Sequence, residues 1–63
     1  MWTVIYVTHA EKQARRIEAA LTEEGFLVQV RPSVSKQYEI QVPASEARDA
    51  QEVLNRILQS SME

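Results

Sequence analysis

Polar and apolar positions alternate without a break through Lys36-Gln37-Tyr38-Glu39-Ile40-Gln41-Val42, and Pro43 closes the run. Successive residues of a strand point to opposite faces. Tyr38, Ile40 and Val42 therefore share one face, and Gln37, Glu39 and Gln41 the other. This is the pattern of a strand with one face on a core and one in water. Pro43 lacks an N–H and cannot continue a central ladder.

Residues 2–7 read Trp-Thr-Val-Ile-Tyr-Val, a dense run of β-formers that is apolar on both faces. Trp2, Val4 and Tyr6 form one face, and Thr3, Ile5 and Val7 the other. The compact set, Thr3, Ile5 and Val7, is expected inward beneath the following helix. Thr8 and Glu11 have the spacing of a capping box, which predicts a helix starting near His9. Ala10, Ala14, Ile17 and Leu21 form its apolar stripe. Glu11 and Arg15 can pair one turn apart, and Gly25 supplies the left-handed residue that ends the helix. Glu23 and Glu24 fall in the last turn, where the helix dipole disfavours them by a few tenths of a kcal/mol.

A second strand is expected over residues 26–31, with Phe26, Val28 and Val30 on one face. Pro32-Ser33-Val34-Ser35 is the expected turn into the 36–42 strand. So short a connection predicts an antiparallel hairpin. A second helix is expected from Ser45 as N-cap, with Glu46 favourably placed for the dipole. Ala47, Ala50, Leu54, Ile57 and Leu58 form its apolar face, Val53 flanks it, and Glu52 can pair with Arg56. It is expected to fray near Ser60 and leave Met62 and Glu63 as a loose end.

The order β-α-β-β-α defines an α+β fold. A right-handed crossover places the first two strands parallel. The third inserts between them, giving a three-stranded antiparallel sheet of order 1-3-2 with two helices on one face. This is the ferredoxin-like split β-α-β plan without its last strand. The outer edge of the first strand is then expected to be unclaimed.

Sixty-three residues make one domain, 1–63, with a small core. There is no cysteine and only one histidine, His9, so thiolate and multi-histidine metal sites are excluded. Self-association is the remaining means of enlarging the core. The net charge of −2, with both signs mixed, argues against nucleic-acid binding. The aromatics Trp2, Tyr6 and Tyr38 do not rescue an RNA-recognition reading, because Glu39 on the open face would oppose phosphate. No apolar run approaches a membrane span, and no secretory signal is evident, so a cytoplasmic location is expected.

Two surfaces are candidates for function. His9, Lys12, Arg15 and Arg16 lie at or near the first helix start and could contact a small anion. Trp2, Val4 and Tyr6 on the first strand could form a homodimer contact, edge to edge or face to face. Catalysis has little support. There is no nucleophile–base set, Gly25 is the only glycine, and the chain offers little room for a cofactor. The expectation is a non-enzymatic regulatory or protein-interaction module acting as a homodimer through the first strand. The alternative is a small-anion sensor.

Three phrases carry a resemblance: Met1-Trp2-Thr3-Val4-Ile5-Tyr6, Glu23-Glu24-Gly25-Phe26-Leu27-Val28, and Tyr38-Glu39-Ile40-Gln41-Val42-Pro43-Ala44-Ser45-Glu46-Ala47. With them the chain resembles short bacterial proteins that are similar to a small signal-transducing protein family with a PII-like, ferredoxin-like fold. The resemblance implies the same β-α-β-β-α plan and carries no active-site residues. The nucleotide loops of PII-like proteins have no counterpart here. Similar short proteins sometimes bear the label glutamate decarboxylase. A pyridoxal enzyme needs a large cofactor site and a Schiff-base lysine, whereas Lys12 and Lys36 are the only lysines and both are expected to be exposed.

Overall fold

The computed structural model describes residues 1–61 and has the expected α+β arrangement. The elements are β1 (Trp2–Thr8), α1 (Glu11–Glu23), β2 (Gln29–Ser33), β3 (Gln37–Pro43) and α2 (Ala47–Ser61). β3 is central in the order β1-β3-β2 and pairs antiparallel with both neighbours. Both helices pack on one side, and the Cα extents of 33 × 28 × 15 Å describe a two-layer slab.

The core joins the two helices to the central strand. Ile40 and Val42 of β3 are fully buried with Ala14, Ile17 and Leu21 of α1 and Ala50 and Leu54 of α2. These are the apolar positions that the two periodicities select. Ala10, the first residue of the expected α1 stripe, is exposed instead, because it lies outside the helix as its N-cap.

β1 departs from simple alternation. Thr3 pairs with Val42 and Val4 with Gln41, but the next partner pair is Tyr6 with Ile40. Ile5 is thus the extra residue of a β-bulge, which reverses the sense of alternation beyond it. Ile5 and Tyr6 both pack on the core, while Val7, paired with Glu39, remains 42% exposed on the outer side. The expected inward set was Thr3, Ile5 and Val7. Val7 is the exception, because the bulge puts it on the opposite face.

The ends of α1 follow two different rules. At its end, Gly25 has φ 99°, its N–H donates to the Thr22 carbonyl at 3.0 Å, and the Phe26 N–H donates to Leu21 at 3.1 Å. This is a Schellman motif, with Phe26 also packing against the core as its hydrophobic partner. At the start, the expected capping box does not form, and α1 begins at Glu11 with Ala10 as an uncapped N-cap. The Thr8 hydroxyl accepts from the Ala10 N–H at 3.2 Å and donates to Gln13 Oε1 at 2.9 Å. Glu11 turns instead to Arg15, 3.8 Å away.

β2 starts at Gln29, later than expected: the Phe26 N–H closes the end of α1, and the Leu27 N–H donates to Glu46 Oε1 at 3.3 Å. Pro32 lies within β2 rather than in the turn, as an edge strand permits. The hairpin turn is Val34–Lys36, with Ser35 and Lys36 at φ 69° and 59°. Ser45 does not cap α2. A 3-10 turn over Ala44–Glu46 leads into the helix, and the Ala44 N–H donates to the Met1 carbonyl at 2.8 Å. Among the described residues the expected Glu52–Arg56 pair does not form. Helix α2 continues through Ser61, and the expected loose end at Met62 and Glu63 lies outside the described residues.

Candidate functional site: the outer face of the sheet

The side of the sheet away from the helices is divided lengthwise. Cross-strand partners share a face, so the pairs Trp2–Pro43, Val4–Gln41 and Val7–Glu39 put Trp2, Val4 and Val7 beside the polar row of β3. Trp2 and Val4 are each 45% exposed. Beyond β3, Gln29 is opposite Gln41 and Arg31 opposite Glu39. An apolar strip along β1 thus borders a polar field on β3 and β2.

The polar field is internally connected. Gln29 Nε2 donates to Gln41 Oε1 at 3.3 Å, and Gln41 Nε2 donates to Glu39 Oε1 at 3.0 Å. The chain of amides fixes Glu39 within the sheet surface and leaves these side chains partly buried. At the end of the field, Gln37 Nε2 lies 3.1 Å from His9 Nε2.

Of the three strand residues expected at a dimer contact, Trp2 and Val4 lie on this outer strip. Tyr6 does not. It is paired with Ile40 and packs on the helix side, so Val7 takes its place. Sequence reasoning missed Val7 because strict alternation groups it with Ile5. The available signal was the adjacent pair Ile5-Tyr6, two large side chains that a regular strand cannot bury on one face.

The expected anion cluster is only partly assembled. Lys12 and Arg16, one helical turn apart, line a shallow hollow with Ala10 and Gln13. Gln13 is already held by Thr8. Arg15 turns aside to Glu11 at 3.8 Å and Glu18 at 3.3 Å, all on the solvent side of α1. His9 is engaged with Gln37 and does not line the hollow. Exposed ion pairs of this kind are worth well under about 1 kcal/mol each.

Among the described residues, no helix is long and apolar enough to cross a membrane. No protein-family model matches the chain, and no curated protein or solved structure matches it either.

Proposed function

We propose that the chain is a small, non-enzymatic regulatory or protein-interaction module that acts as a homodimer through β1. The supporting observation is the strip of Trp2, Val4 and Val7, each between 42% and 45% exposed, on a sheet face that no element of the described chain covers. A solvated antiparallel face is ordinarily polar. Here β3 and β2 obey that rule and β1 does not. The small core supports the same reading, because a second copy would extend the buried apolar surface. Its setting is the cytoplasm, and its role resembles that of PII-like signalling domains in fold rather than in ligand chemistry. Sedimentation equilibrium from micromolar to millimolar concentration tests the proposal. Rising apparent mass is expected, and a monomer throughout refutes it.

A second reading, a small-anion sensor, draws support from Lys12 and Arg16. Among the described residues neither meets a carboxylate, and both border the same hollow. NMR titration with inorganic phosphate and with nucleotides tests it. Saturable shifts at Lys12, Gln13 and Arg16 are expected, and none at those residues counts against it.

A further inference from the structure

A dimer through β1 can form along the edge of the strand or across its face. The two arrangements use different atoms. Edge pairing uses backbone N–H and C=O groups and leaves the Trp2–Val4–Val7 strip in water. Face packing covers the strip and leaves the edge alone.

The edges of this sheet are poor templates. β1 is broken by the bulge at Ile5, between Val4 and Tyr6, so its outer row of donors and acceptors is out of step halfway along. At the other edge, β2 carries the exposed Pro32 inside a short strand, where an N–H is missing. Bulges and edge prolines are the devices by which sheets discourage strand addition. The outer face carries no such obstacle.

We infer that two copies associate face to face, with the Trp2–Val4–Val7 strip of one lying on that of the other; this rests on the dimer reading above. Charge favours a second copy as the occupant. The polar field carries one acid, Glu39, opposite one base, Arg31. The face is therefore near neutral, without the basic bias that nucleic acid or an anionic membrane surface requires.

A two-fold axis lying across the strands, over the row Val4–Gln41–Gln29, stacks strip on strip and amides on amides. Glu39 is two residues from Gln41, so this axis holds the two Glu39 carboxylates about 13 Å apart along the strands. Each Glu39 also has Arg31 opposite it on the neighbouring strand, one strand spacing of about 4.8 Å away, so the nearest charged position to it is of opposite sign.

Area sets the strength. Strands of seven, seven and five residues, at ~3.3 Å per residue and ~4.8 Å between neighbours, give a face of about 300 Å². Two such faces bury on the order of 600 Å², plus a rim. This is below the ~1,200 Å² of standard stable interfaces, so the dimer is weak and reversible.

The test uses the full chain. A one-to-one mixture of ¹³C-labelled and unlabelled protein at millimolar concentration is examined by isotope-filtered NOE spectroscopy, alongside sedimentation. Contacts between copies from the Trp2 indole to the Val4 and Val7 methyls are expected. Contacts between backbone Hα or amide protons along β1 would establish edge pairing and overturn the face arrangement while leaving dimerisation intact. A monomer at every concentration overturns both. In addition, V7K, checked for native circular dichroism, is expected to weaken association at least tenfold, and unchanged association would overturn the inference.

Discussion

Deleting Ile5 tests the bulge on which the outer strip depends. In the native pairing Val4 faces Gln41 and Tyr6 faces Ile40, so Ile5 is the residue without a partner of its own. Its deletion leaves Trp2, Thr3 and Val4 in register on one side and Tyr6, Val7 and Thr8 in register on the other. The loss is the partial burial of Ile5 against the core. Full burial of such a side chain is worth about 1.5–3 kcal/mol, so a half-buried one is worth about 1–1.5 kcal/mol. Straightening the strand restores about one ladder hydrogen bond, worth ~0.5–1.5 kcal/mol. The net loss is expected to be no more than about 1 kcal/mol, from a total of roughly 3–5 kcal/mol for a core of this size. Urea denaturation measures it. With a slope of about 1 kcal/mol/M, the midpoint falls by 1 M or less. Cross-strand NOEs should still join Thr3 to Val42 and Tyr6 to Ile40. If β1 were a regular strand, the deletion would throw one half onto the wrong face. An unfolded protein, or a loss of about 3 kcal/mol or more, would refute the bulge and the outward placement of Val7 with it.

Three further substitutions follow from the geometry. Gly25→Ala meets nothing within 4 Å of the added Cβ, so its effect is that of φ 99° alone; a loss of about 1–2 kcal/mol is expected in urea titration. Lys36→Gly relieves a left-handed residue at φ 59° in the hairpin turn. It is expected to raise stability by about 0.5–1 kcal/mol after the extra entropy of glycine is subtracted, and a lower urea midpoint would contradict the turn geometry. Leu54→Ala removes a fully buried side chain of the small core. The expected loss of about 2–5 kcal/mol is comparable with the whole stability, so circular dichroism at 25 °C should show a largely unfolded chain.

Where one period fixed a face, the fold was legible in advance. Ile40 and Val42 follow from period two, and Ile17, Leu21, Ala50 and Leu54 from period 3.6; all are fully buried. Gly25 was legible because the chain needs a positive φ at the end of α1. Errors arose where one residue could serve two local structures. Phe26 and Val28 alternate like a strand, yet Phe26 completes the helix end. Thr8 has the spacing of a cap, yet its hydroxyl is satisfied by Gln13 and by the Ala10 N–H. Competition of this kind among side-chain and backbone partners is inherent to threonine near a helix start.

The outer strip was half legible for a related reason, and energy decides it. A regular β1 must choose between Ile5 and Tyr6 for the core. The bulge lets both pack there at the expense of about one ladder bond, ~0.5–1.5 kcal/mol. A second large side chain, even partly buried, returns about 1–2 kcal/mol. The difference is of the order of RT to 1 kcal/mol, too small for an alternation pattern to disclose. Its consequence is large, because every residue beyond Ile5 changes face. Tyr6 goes in with Ile40, and Val7 comes out beside Trp2 and Val4. The same bulge that interrupts the β1 edge as a pairing template therefore also completes the apolar strip on which the proposed face-to-face association rests.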